Sequence, residues 1–294
     1  MEAQRDPGRI DWGRAAALVG LHAGAAAAPL LVHPRPALLA LAGASWLLRS
    51  FGISAGYHRL LAHRAGEPSR GLAFALAAVG ATAGLGGPLR WAARHREHHR
   101  ASDTAADPHS PIVHGLAWSH LGWLLVRRRD AAPFDQAPDL AAAPELRWLD
   151  RHPLLPPAAL AAAFALAGGL PGLLWGFCVS TVLVLHGALL PNSLGHLIGR
   201  RRYETGDESR NCLAVSLLTL GEGWGNNHHF FASAARHGWF WWEPDPTWLG
   251  LRALAALGLV RGLRPVPPRI RLAHLRVRSP DDRAGHGQLA PGQR

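Results

Sequence analysis

Apolar residues in this chain fall into long unbroken blocks rather than the one-face stripe of a soluble helix. Residues 15–32 (AAALVGLHAGAAAAPLLV) and 36–56 (PALLALAGASWLLRSFGISAG) are two such blocks, the second interrupted by Arg49. Residues 157–195 form a third, long enough for two crossings and broken at 168–171 by Gly-Gly-Leu-Pro. A helix needs roughly 20 mostly apolar residues to cross the hydrocarbon core. The pattern therefore predicts an all-α integral membrane protein with four transmembrane helices in two hairpins, at about 15–32, 36–56, 157–170 and 172–192. Residues 71–89 are apolar too, but they are rich in glycine and end in Gly-Gly-Pro. They are read as an interfacial helix that does not cross. Residues 1–14 precede the membrane domain (15–263), and the Pro-, Arg- and Gly-rich residues 264–294 are expected to be disordered. The first block lacks a clear small-residue cleavage site and is followed closely by another. It is read as a retained span rather than a signal peptide.

The polar stretches between the blocks are where the histidines gather: HRLLAH (His58, His63), HREHH (His95, His98, His99), NSLGH (Asn192, His196) and NNHH (Asn226, Asn227, His228, His229). If these serve one site they must share one side of the membrane, which two hairpins allow only if 71–89 does not cross. Arginine sets the side. Arg59, Arg64, Arg70, Arg90, Arg94, Arg96, Arg100 and Arg127 to Arg129 fall with the histidines, against Arg35 alone in the first short turn. The histidines and both termini are thus expected in the cytoplasm.

Charge changes the picture little. The net charge is +11 and every one of the 31 basic residues is arginine. They flank apolar runs instead of forming a stripe with interleaved aromatics, so an anionic membrane surface fits better than nucleic acid. Two cysteines, Cys178 and Cys212, are too few for a disulfide framework, and Cys178 lies in an apolar run as a small hydrophobe.

Spacing suggests what the histidines do. At 100° per residue, His95, His98 and His99 share one helix face, whereas His58 and His63 lie about 140° apart on an α-helix and can only clasp a site from a helix end. Imidazole suits iron, copper, zinc and nickel, and no thiolate accompanies any cluster, which argues against a zinc finger. So many donors favour two metals over one. The plainer readings are a solvated basic face for HREHH, and ordinary surface or core roles for His22, His33, His152, His274 and His286. Asp107 and His109 in DPH either cap a turn or orient ligands. His120 and Trp123 fit an interfacial belt.

The stretches FGISAGYHRLLAHRA, RHREHHRASDTAADPHSP, WSHLGWLLVRR, LLPNSLGHLIG and LLTLGEGWGNNHHFF, in this order over about 49–242, resemble the membrane-bound acyl-CoA (fatty acid) desaturases of the histidine-box di-iron type. The resemblance implies four spans, a cytosolic helical cap and a di-iron site. It also implies O2-dependent removal of two hydrogens from a long acyl chain, often at the Δ9 position. Carried onto this chain, the iron ligands are His58, His63, His95, His98, His99, His196, His228 and His229, with Asn192 acting through a water. Arg127 and Arg128 match positions that hold the acyl-CoA head group. The cofactors implied are two iron ions, with O2 as co-substrate. The partners implied are a long-chain acyl-CoA or acyl lipid, membrane lipids, and an external ferredoxin- or cytochrome b5-like electron donor with its reductase.

One position departs from the family. Its last box reads His-Asn-x-His-His, and here Gly225 stands first. His237, Glu222 or Asn226 could substitute, the metal could keep an open position or a water, or the protein could bind metal without catalysis. Activating an unreactive methylene requires a cofactor, because no side chain can do it. An apolar tunnel lined from 71–89 and 182–190 is expected to set the double-bond position. Two alternatives stand beside the desaturase: a membrane di-iron hydroxylase, and a non-catalytic metal- or lipid-binding protein. A heme protein is disfavoured because the histidine clusters lie outside the spans.

Overall fold

The computed structural model describes residues 9–126 and 137–273. Helix α1 (Trp12–Leu31) is capped by the Asp11 side chain, which accepts from the Arg14 amide. Helix α2 (Pro36–Phe51) opens on proline, whose fixed φ suits a first helical turn. It runs without a break into a π-helical segment, Gly52–Ala62, giving one apolar stretch over Pro36–Ala62. Arg49, one of two arginines within this stretch, is held by four hydrogen bonds: its guanidinium donates to the Thr82 side chain and carbonyl and to the Ser180 and Thr181 hydroxyls.

The π-helical segment lies against α3 (Arg70–Ala81) at a distance only glycine permits. A Cβ on Gly52 would stand 2.8 Å from the Gly80 amide, and one on Gly56 would stand 2.9 Å from Leu76 Cβ. The apolar stretch 71–89 is not one helix. α3 stops at Ala81, the turn is carried by Gly84 and Gly86 at φ +75° and +96°, and Pro88 opens a new helix, α4 (Pro88–Ala101). Positive φ costs glycine little and ends a helix.

The third apolar stretch, Leu155–His196, is 42 residues long, roughly 63 Å if straight and so about twice a bilayer core. It is not straight. Helix α5 (Leu155–Pro171) breaks at Gly169, at φ 57° and ψ −148°. A Cβ on Gly172 would meet the Phe164 carbonyl at 2.3 Å, whereas eight residues along an unbroken helix span about 12 Å. The chain therefore doubles back, passes through a π-helical segment (Gly172–Val179) and continues as α6 (Ser180–Leu189). Among the described residues three stretches are long and apolar enough to cross a membrane: Trp12–Leu31, Pro36–Ala62 and Leu155–His196. They carry exposed leucines such as Leu30 and Leu166, as a lipid-facing surface does.

Among the described residues the remaining helices include short ones at Pro111–His114, Leu116–His120, Pro138–Ala141, Pro144–Arg151 and Leu213–Leu218, the helix α7 (Gly225–Phe230) and a helix at Pro246–Ala256. A two-stranded ribbon pairs Glu67–Pro68 with Val260–Arg261. It ties the late chain to the end of the π-helical segment. The main core joins that segment, α3, α4 and α6 through Tyr57, Leu61, Ala77, Leu89, Ala92 and Val184. Within residues 264–273, expected to be disordered, Pro268–Leu272 is helical.

Candidate metal centre

The π-helical segment decides the first cluster. In an i→i+5 helix residues five apart share a face, and the His63 amide donates to the His58 carbonyl at 3.1 Å. His58 and His63 thus point together, their ring centroids 4.9 Å apart. The expectation of an α-helical separation between them is corrected. α4 supplies His95 and His99 to the same place and α7 supplies His228. The ring nitrogens meet Nε2 to Nε2: His58–His228 at 3.0 Å, His63–His95 at 2.7 Å, His95–His99 at 3.0 Å and His99–His228 at 3.0 Å. Trp91 stacks on His95.

Three more histidines form a second cluster: His98 of α4, His196, and His229 of α7. Each is aimed by a carboxylate. His98 Nδ1 donates to Asp107 at 2.9 Å, His196 Nδ1 to Asp103 at 2.8 Å and His229 Nδ1 to Asp207 at 2.5 Å. A proton held on Nδ1 leaves the lone pair on Nε2, the arrangement that fixes tautomer and ring direction in metal-binding histidines. In the first cluster His58 Nδ1 donates to Glu222 at 2.5 Å. Glu222 is gripped by Ser54 and Arg59, and the buried Arg59 also pairs with Asp245 at 2.9 Å.

The electrostatics favour neutral rings and charged anchors. Burial, reinforced by neighbouring imidazoles, holds His63, His95, His99 and His228 well below the ordinary histidine value, so each offers a lone pair. Burial also pushes His229 down to about 4, against the pull of Asp207. For Asp103, Asp107 and Asp207 burial acts to raise the carboxyl, but the hydrogen bonds and charge of their histidines outweigh it and the net shift is downward. Glu222 is likewise held low, with Arg59 overcoming burial. His98 Nε2 is buried with no hydrogen-bond partner among the described residues. An uncompensated buried acceptor costs about 1–3 kcal/mol, and a cation would satisfy it. Two clusters of convergent Nε2 atoms therefore fit metal ions, and an all-imidazole donor set suits a first-row transition metal.

A partly open cavity reaches both clusters, lined by Ser50, Ile53, Val184, Gly187, Leu218 and Asn192 among others. Of the expected tunnel walls, 182–190 contributes Val184, Gly187 and Ala188. From 71–89 the contribution is Leu85, in a smaller adjoining cavity that Asn192 also lines.

The structure places the three candidate substitutes for residue 225 as follows. Gly225 lines the cavity beside His229. His237 and Glu222 stand instead with His58 at the first cluster, His237 Nδ1 lying 3.3 Å from Glu222. The Asn226 carboxamide is engaged elsewhere, accepting from the Arg202 and Tyr203 amides at 2.7 Å and donating to the Tyr203 carbonyl at 3.0 Å. Arg127 and Arg128 lie outside the described residues. Sequence reasoning gave no site role to Asp103, Asp207, Arg59, His186 or Ser193. The only sequence signal for the two aspartates is their place in polar runs beside the histidine boxes.

Residues 30–261 match the fatty acid desaturase family. The chain is similar to the sn-2 palmitoyl-lipid 9-desaturase of Nostoc sp. (strain 36), 40% identical over 228 residues, 76% of this chain and 80% of that one. It is similar to the sn-1 stearoyl-lipid 9-desaturase of Anabaena variabilis, 37% identical over 261 residues, 87% of this chain and 94% of that one. It is also similar to the acyl-CoA C20 Delta5-desaturase of Anemone leveillei, 39% identical over 223 residues, 75% of this chain and 71% of that one. With its membrane-length apolar helices and paired histidine clusters, the chain belongs to the fatty acid desaturase family and is an oxidoreductase.

Proposed function

We propose that the protein is an O2-dependent fatty acyl desaturase that places a cis double bond, at Δ9, in a long-chain acyl lipid or acyl-CoA. The observation that carries this is the pair of imidazole clusters on one cavity. His58, His63, His95, His99 and His228 would hold one iron. His98, His196 and His229 would hold the other, with Asn192 acting through a water. When bound, the two irons and O2 supply the oxidant for a methylene that no side chain can activate.

The chain's own residues do the rest. Glu222, Asp103, Asp107 and Asp207 keep protons on Nδ1 and aim Nε2 inward. Ile53, Val184, Gly187 and Ala188 shape an apolar slot that excludes water and sets how deep a chain reaches. Gly187→Trp is expected to shorten the accepted chain. An unchanged chain-length profile counts against that wall.

His237 and Glu222 belong to the first cluster, so the second works with three histidines, and the side at Gly225 faces the cavity. The doubled-back third stretch supports four spans, and the arginine bias supports a cytosolic cap. Electrons come from an external ferredoxin- or cytochrome b5-like carrier. Arg127 and Arg128 are suited to an anionic head group through paired donors.

The test is aerobic expression in a bacterium that makes no Δ9 products aerobically, with a ferredoxin and its reductase, and mass-spectrometric location of any new double bond. A new monounsaturated acid is expected from the wild type. A hydroxy acid would reassign the reaction. Bound metal without any product would leave a binding protein.

A further inference from the structure

Three histidines outside both clusters form a chain of their own. His22 on α1 meets His186 on α6, Nε2 to Nε2, at 3.0 Å. His186 Nδ1 meets His120 Nε2 at 2.8 Å, and His120 Nδ1 meets Ser193 Oγ at 2.9 Å. His22 Nδ1 lies 2.7 Å from the Leu18 carbonyl, which can only accept, so this end is fixed as an N–H donor. The Ser193 hydroxyl also reaches the Leu189 carbonyl at 2.7 Å.

Proton counting gives this chain two complete states. In one, Ser193 donates to His120, His120 to His186, His186 to His22 and His22 to Leu18, and all three rings are neutral. In the other, Ser193 turns its hydroxyl to Leu189, and every ring-to-ring bond reverses: His22 donates to His186, His186 to His120 and His120 to Ser193, while His22 still donates to Leu18. The second state holds four ring protons on three imidazoles, one more than neutrality. Adding a proton therefore leaves every donor and acceptor satisfied, with rotation of one hydroxyl.

The groups facing the chain are the Leu18 carbonyl from α1, the Leu189 carbonyl from α6 and the Ser193 hydroxyl. Among the described residues no aspartate, glutamate or arginine pairs with any of the three rings. Burial holds His120 below the ordinary histidine value, so this ring is disposed to be neutral at rest. Ser193 follows Asn192, which lines both cavities. Ser119, beside His120, donates to the Asn192 carbonyl at 3.0 Å, so the chain is mounted on the cavity wall.

We propose that His22, His186, His120 and Ser193 form a proton store, which takes up one proton at its Ser193 end, spreads it over three imidazoles and returns it beside Asn192. The destination rests on the desaturase reading. In that reaction a CH2–CH2 unit, O2, two electrons from a one-electron carrier and two protons become CH=CH and two waters, so each double bond consumes two protons. The proton count within the chain is independent of that reading.

Nitrogen-15 NMR of histidine-labelled protein in detergent, first without metal, tests the store directly. In the wild type the three rings are expected to shift together on uptake of one proton. In His186→Gln, which keeps a polar contact but cannot relay, His22 and His120 should titrate separately. Ser193→Ala, which removes the turning hydroxyl, should uncouple His120 and serves if the glutamine variant fails to fold. Independent titration of the three rings in the wild type overturns the store. With metal and carrier present, His186→Gln should slow turnover at least about tenfold. Its solvent deuterium isotope effect should rise, and added imidazole should restore part of the rate. Coupled titration with unchanged turnover and isotope effect overturns the delivery role. A wild type that makes no product refutes the desaturase reading instead and leaves the NMR result standing.

Discussion

The two histidine clusters are built on opposite principles. The first is crowded: five imidazoles from the π-helical segment, α4 and α7 face one another at 2.7–3.0 Å, and among them a carboxylate, Glu222, is bonded to His58. The second is sparse: three imidazoles, each bonded at Nδ1 to its own buried or half-buried aspartate. A crowded site is oriented by helix geometry and mutual packing. A sparse one depends on outside anchors, and here it also borders Gly225 and the cavity. The difference teaches that the two proposed metals should be held unequally, and that the anchors matter most where ligands are fewest.

The harshest way to break the comparison is to remove a ring. His95→Ala at the first cluster and His98→Ala at the second should each abolish product, with metal analysis showing loss at the altered cluster first. A smaller effect separates the clusters. Asp207→Asn should weaken metal binding at the second cluster about 10- to 100-fold in a chelator competition. Glu222→Gln should weaken the first cluster less, because four of its rings do not depend on that carboxylate, while its damage shows as a lower melting temperature through Arg59.

Metal removal exposes a pH dependence. His229 and His237 are neutral in the fold, with burial lowering each to about 4 from an unfolded value of 6.5. Below pH 6.5 the unfolded chain binds more protons than the folded one, so stability falls with pH. Thermal melts of the metal-free protein should lose stability between pH 6.5 and about 4, and bound metal should delay that loss. A flat profile contradicts the burial of neutral rings.

The smallest expected change is a gain. Gly225→His should tighten the second metal by a few-fold at most, because its Cβ would stand 3.0 Å from the Arg210 carbonyl and the backbone must give. Titration of metal into wild type and variant measures this. Equal affinities would mean the added ring does not reach the second cluster.

Much of this was legible in the chain. The apolar blocks marked the three membrane-length helical stretches because hydrocarbon crossing leaves a length signature, and the histidine boxes marked the clusters because so many donors cannot be filler. Other features were not legible. Nothing local in Gly52–Ala62 announces a π-helix: that choice comes from the close approach of Gly52 and Gly56 to α3, a tertiary contact. The gap between α3 and α4 was hidden because the turn at Gly84 and Gly86 sits in an apolar run. Asp103 and Asp207 read as ordinary loop acids until folding brings them to His196 and His229. His22 read as an isolated residue, since its partner His186 is 164 positions away.

The measurement that tests the account most directly is iron per folded chain, with Mössbauer spectra of iron-57-loaded protein. Two irons per chain in two distinct environments, the second-cluster signal being lost first to chelator, is the predicted result. Fewer than one iron per well-folded chain, or two equivalent irons released together, would contradict it.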